Sequence, residues 1–174
     1  MKNCSRIVVC LAACAAAFVV QSVAFGATTN SVYNLDAITS FSVGKDKAAG
    51  TNAASVAFLS DGTCGVTIGT NDYTATYVAS KSSVTVTLDP NSQAAYASNI
   101  VDFVLANVPA IPGLTCTVRK LTFSKISLKN GAPTKASASI STLLAAEING
   151  KHRTKGLNLK AAFINWTLAS GSNF

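Results

Sequence analysis

The stretch SDGTCGVTIGTNDYTATYVASKSSVTVTLD, residues 60–89, constrains the fold more than any other part of the chain. Apolar and polar residues alternate through three short runs. Cys64, Val66 and Ile68 alternate with Gly65, Thr67 and Gly69. Tyr73, Ala75 and Tyr77 alternate with Thr74, Thr76 and Val78, and Val84, Val86 and Leu88 share one side of the third run. A period of two belongs to strands with one face buried and the other wet. The turn-forming stretches GTND (69–72) and SKSS (80–83) separate the runs. Asp61-Gly62 predicts a two-residue hairpin of type I′, which needs positive φ at both positions. The expectation is an antiparallel meander.

The alternation extends in both directions. Over 32–43, Tyr33, Leu35, Ala37, Phe41 and Val43 fall on one face and Asp36 points away from it. Residues 53–60 form the next strand. Later, 114–128 carries Cys116 and Val118, then Leu121 and Phe123 on the opposite parity, then Ile126 and Leu128. Such slips predict bulges or sharp bends. Asn130-Gly131 marks a hairpin, and 135–148 runs to a second Asn-Gly pair at 149–150. In 156–170 the apolar face shifts from Leu157, Leu159 and Phe163 to Ile164, Trp166 and Leu168.

One segment has a different period. Asp89 can cap a helix, and Pro90 suits its first position. Tyr96, Ile100, Phe103 and Val104 then recur at three- and four-residue spacing. The spacing predicts one mid-chain helix over about 91–107, ended by Pro109. The fold expected is mainly β: an antiparallel up-and-down meander of about eight strands, curled into a barrel because open edges invite aggregation.

The N-terminal segment reads as a secretory signal. Lys2 and Arg6 precede an uncharged run from Ile7 to Val20, and small residues follow at Ser22, Ala24 and Gly26. The run is short for an uncleaved anchor, which needs about 20 apolar residues. Leu11-Ala12-Ala13-Cys14 also resembles a bacterial lipobox. Residues 1–26 are therefore expected to be a signal peptide and 27–174 a single domain, secreted or periplasmic. The alternative is an outer-membrane lipoprotein tethered through Cys14.

Removing that segment leaves Cys64 and Cys116 as the two cysteines. A pair in an oxidising compartment predicts a disulfide. It would close a loop of roughly 50 residues and stabilise by about 4 kcal/mol on chain-entropy grounds. The alternative is two free buried thiols. The 14 Lys and Arg residues include Lys2 and Arg6; the other 12 stand against 7 Asp and Glu, a net charge of +5. They are scattered except in KHRTK, residues 151–155, which reads as a solvated hairpin end or as a contact for an anion or membrane surface. No arginine-aromatic platform for nucleic acid is present.

Catalytic constellations are missing. His152 is the sole histidine, and Asp61, Asp72 and Asp89 are explained by turns and a cap. The mature span has no CxxC, HExxH or phosphate loop. The expectation is a protein that is not an enzyme and carries no cofactor or metal. The aromatic side chains Tyr33, Phe41, Phe58, Tyr73, Tyr77, Tyr96, Phe103, Phe123, Phe163 and Trp166 remain as candidate contacts for a small apolar ligand or lipid, with Tyr73, Tyr77, Phe103, Phe123 and Trp166 singled out as the cavity lining. The same rings could instead fill a solid core.

FLSDGTCGVTI, YTATY with SVTVTL, a short helix, and then KLTFSKISLKNG and LNLKAAFINWTL together resemble small secreted bacterial lipocalin-like (calycin-type) domains. The resemblance spans most of 27–174. It implies a barrel that can hold an apolar ligand and carries no functional residue across. Two functions stand: an extracytoplasmic binding module for a small apolar molecule, and a structural or adhesive envelope module, fimbria-like, with a packed core. Cavity volume separates them, since a binder needs roughly a few hundred Å³.

Overall fold

The computed structural model describes residues 29–43 and 46–174. The signal-peptide and Cys14 readings lie outside the described residues. In chain order the elements are β1 (Thr29–Val43), β2 (Asp46–Leu59), β3 (Thr63–Ile68), β4 (Asn71–Ala79), β5 (Ser83–Leu88), α1 (Pro90–Asn107), β6 (Thr115–Phe123), β7 (Ile126–Lys129), β8 (Ala132–Ile148) and β9 (Lys151–Gly171). Eight strands close an antiparallel barrel in the order β1-β2-β3-β4-β5-β7-β8-β9, with β9 returning to β1. All of these pairings lie within 29–174, so this span carries its own closed core.

The ninth strand, β6, stands outside the ring. β8 gives one edge to β9 over Ala136–Ile148. Its other edge is shared by β7, through Lys135, Pro133 and Ala132, and by β6, over Ala138–Ala145. β6 and β7 are thus one long strand broken at Ser124-Lys125. The slipping parity of 114–128 has two causes: this break, and a register shift between Val118 and Lys120. The parity slip in β9 has a similar origin. Asn165 adopts φ 58°, and the β1–β9 register shifts between Asn34 and Asp36 at the same place. The Asn165 amide donates to the Asp36 carboxylate at 2.8 Å.

The inward positions form one core of Tyr33, Leu35, Ala37, Val56, Phe58, Val84, Ile140, Leu157 and Leu159, among others. Outward positions on β3, β4 and β5 are mostly threonine: Thr63 and Thr67, Thr74 and Thr76, Thr85 and Thr87. A membrane-spanning barrel carries an apolar band there instead. This wall is built to face water.

Two hairpins follow the Asn-Gly signals. Asn130 and Gly131 have φ of 53° and 79°, and Asn149 and Gly150 have 52° and 66°, the positive pair of a type I′ turn. The type I′ turn expected at Asp61-Gly62 is corrected. Only Gly62 is positive there, at φ 83°. Gly62 N–H donates to Leu59 C=O at 3.3 Å. The Asp61 carboxylate accepts from Thr63 N–H at 2.9 Å and from its hydroxyl at 2.6 Å. The local bond to Thr63 holds Asp61 out of the left-handed region, and the loop becomes a three-residue turn ending in a glycine bulge.

The Cys64–Cys116 disulfide is also corrected: both are free thiols. Cys64 lies opposite Phe58, beside the β2–β3 turn. Cys116 lies opposite Leu144, towards the β8–β9 hairpin. These turns are at opposite ends of the barrel, so no bond can join the two. Burial pushes the Cys64 thiol up to about 12 and also raises Cys116.

α1 begins one residue before the expected start. The Asp89 carboxylate caps it by accepting from Ser92 N–H at 2.9 Å, and Pro90 occupies the first turn. Asp89 also accepts from the Thr74 hydroxyl, and Ser92 Oγ accepts from Thr74 N–H at 2.8 Å. The cap therefore fastens the helix to the barrel wall. From there α1 crosses the end formed by the β1–β2 and β8–β9 hairpins and packs on β4 and β6. Tyr96, Ile100 and Val104 are buried beneath it, and Phe103 meets Phe41 edge-on at 5.7 Å. Rings stopper the opposite end. Phe58 lies 4.9 Å from Tyr77 and 4.8 Å from Phe174, while Phe174 stacks on Tyr33 at 6.3 Å.

Candidate functional site

Between the helix and the ring stopper the barrel keeps a cavity of about 70 Å³. Leu35, Ala54, Val56, Val66 and Ile68 form its wall on β1–β3; Val86, Leu88 and Ile126 form the wall on β5 and β7. Tyr96 hangs from α1, Phe123 comes from β6, and Phe163 and Trp166 come from β9. Alternation explains the apolar walls, because each strand turns every second residue inward. Trp166 reaches the site because the bulge at Asn165 resets the β9 face.

The polar groups are few. Tyr73 OH accepts from the Asn99 side-chain amide at 2.6 Å. Tyr73 and Tyr96 meet edge-on at 5.6 Å, and Phe123 lies tilted against Tyr96 at 5.7 Å. The Tyr96 hydroxyl has no hydrogen-bond partner among the described residues. The side chain is 5% exposed, and because no side-chain polar atom among these residues is both buried and unpartnered, the hydroxyl keeps contact with open space. Burial pushes the Tyr96 phenol well above its usual range, with the Tyr73 phenol adding to the shift. Burial raises Tyr73 too, opposed by its bond from Asn99. Both are neutral donors at physiological pH. Trp166 Nε1–H is already committed to the Phe163 carbonyl at 3.0 Å.

Ser124 and Ser137 complete the lining. They bind one another across the break between β6 and β7: Ser137 N–H donates to Ser124 Oγ at 2.8 Å, and Ser124 N–H donates to the Ser137 carbonyl at 2.8 Å. Both are exposed, so the cavity meets the outside here. No Asp, Glu, His, Lys or Arg lines it. Among the described residues, no group of three or more His, Cys, Asp or Glu side chains could hold a metal ion.

Three of the five aromatic residues expected in the lining are there: Tyr73, Phe123 and Trp166. Two are elsewhere. Tyr77 faces inward but lower, where its hydroxyl donates to the Leu59 carbonyl at 2.8 Å within the ring stopper. Phe103 lies further along α1, against Phe41 of β1 and beside Gly50 of β2. Tyr96 and Phe163, which belong to the wider set of ten candidate aromatic contacts but not to the five singled out, also line the cavity. Tyr96 stands in the buried helical stripe, but periodicity does not say which turn of that stripe overlies the barrel. Compared with known proteins, the chain matches no protein-family model, no curated protein and no solved structure.

Proposed function

We propose that this is a non-enzymatic, extracytoplasmic barrel that holds a small apolar molecule in the cavity under α1. The observation that supports the reading is the Tyr96 hydroxyl. It makes no hydrogen bond among the described residues yet keeps contact with open space, since no side-chain polar atom there is both buried and unpartnered, and its side chain lines a largely apolar cavity. A polar group in an apolar pocket fixes a ligand's orientation when the ligand brings a partner for it. A ligand with one hydrogen-bond acceptor and a short apolar body would supply it. The lipocalin-like resemblance points the same way. The absence of charge in the lining leaves little for acid–base chemistry, which supports binding over catalysis.

A second reading rests on the volume. About 70 Å³ is below the roughly 300 Å³ at which drug-sized ligands are usually held. It suits a structural or adhesive envelope module whose core is nearly full. Native mass spectrometry of residues 27–174 from the periplasm separates the two. The expected result is a mass excess that disappears on denaturation and is absent from Tyr96→Phe. A bare chain mass in both proteins, with no uptake of added short-chain alcohols or fatty acids, would leave the structural module as the function.

A further inference from the structure

The helix end of the barrel carries a second surface that the cavity does not use. After α1 the chain runs VPAIPGL, residues 108–114, a loop with no charged or hydrogen-bonding side chain. Leu105, Pro109, Ala110, Ile111, Pro112 and Leu114 line a shallow groove on it. Pro109, Ala110 and Pro112 are exposed, and Leu105 is 36% exposed. Ile148, at the tip of β8, is 42% exposed. Water-facing loops rarely put so much apolar surface together without a partner.

Topology places the basic cluster beside this loop. Thr115, which follows the loop, pairs with Ala145 of β8. One strand further on, Ala146 pairs with Arg153, Leu144 with Lys155 and Ile148 with Lys151. Cross-strand partners share a face of a sheet. Lys151, Arg153 and Lys155 therefore form a column on the same face as Leu144, Ala146 and Ile148. The pairing of β9 with β1 runs only from Lys160 onward, which leaves the column beyond that seam. All three cations are exposed and have no ion-pair partner among the described residues. Glu147 lies on the other face, opposite His152. Asp102 is exposed on α1.

We infer that this end of the barrel docks on an anionic lipid surface. The 108–114 loop sits among the headgroups, and Lys151, Arg153 and Lys155 meet lipid phosphates. Apolar side chains with flanking cations are what an interfacial site requires, each part adding its own share of binding. A soluble acidic partner would match the cations but gives no use for the apolar loop. A purely apolar partner gives no use for the cations.

The test is co-sedimentation of residues 27–174 with vesicles of phosphatidylcholine alone and of phosphatidylcholine carrying phosphatidylglycerol. Partitioning should be about 100-fold stronger on the anionic vesicles at low salt, as three cations near a charged surface imply. It should fall as salt is raised. Lys151→Gln/Arg153→Gln/Lys155→Gln should remove the preference for anionic vesicles, and the uncharged change Ile111→Ser should weaken binding about tenfold at unchanged salt dependence. The salt titration of the unmodified protein does not depend on how the variants fold. Equal partitioning on both vesicles, or no binding to either, overturns the proposal. So would a folded triple variant that binds like the unmodified protein.

Discussion

Two tyrosines 5.6 Å apart should answer the same substitution in different ways. Tyr73→Phe leaves the Asn99 amide without its acceptor. That costs about 1 kcal/mol, or about 3 °C in melting temperature for a domain of this size. Tyr96→Phe removes a hydroxyl that makes no hydrogen bond among the described residues and is not fully buried. In ligand-free protein it should leave the melting temperature nearly unchanged, because no protein hydrogen bond is lost. Scanning calorimetry of both variants checks the pair. At this scale the sequence showed which residues face inward but not how deep they lie. Tyr73 and Tyr77 have the same parity on β4, yet one lines the cavity and the other belongs to the stopper. The cysteine pairing failed for the same reason, since an even count says nothing of height along a barrel. With Cys64 and Cys116 unpaired, the fold does not draw on an oxidising compartment for its stability.

Among the elements, α1 was the most legible. Asp89, Pro90 and the three- and four-residue spacing locate it to within one residue, because cap chemistry is local. What the helix does is not local. Its cap is shared with Thr74 of β4, so Asp89 fastens helix to wall as well as starting the helix. Donation from the Thr74 hydroxyl, then from the Ser92 N–H and hydroxyl, holds the Asp89 carboxyl down at about 2. A folded-state value below the unfolded one means stability that is complete above about pH 4 and drains away as pH falls towards 2. Asp89→Asn should therefore flatten the loss of thermal stability between about pH 4 and pH 2. A remaining slope is expected from Asp61, which Thr63 holds down in the same way. Melting curves across that range measure both. β6 and β7 were legible only as one troubled strand. The parity slip signalled a bend, but the break at Ser124-Lys125 is set by where β5 and α1 sit on the far side.

For the molecule as a whole, alternation and turn chemistry carried the strand count and the closed meander, while the seam came from the structure. β5 meets β7 through only two residue pairs, Ser83 with Ser127 and Val84 with Ile126. β1 and β2 are paired from Thr29 to Val43. The seam lies beside the Ser124–Ser137 opening, and local opening favours the place with the fewest hydrogen bonds. Hydrogen exchange followed by mass spectrometry should find β5 and β7 losing protection well before β1, β8 and β9. Uniform protection around the ring would mean that the helix, rather than the ladder, holds the seam shut.

The pairing of β9 with β1 joins remote residues, Thr167 and Asn34 lying 133 positions apart along the chain. Contacts so remote in sequence close slowly and close last. While the ribosome adds that length, on the order of ten seconds, β1 has only β2 beside it and no ring can form. A nascent chain that cannot finish folding before its last strand is made stays pliable for the whole of its synthesis. That is the condition in which a polypeptide can be threaded through a narrow pore, and the late position of β9 builds the delay into the order of the strands.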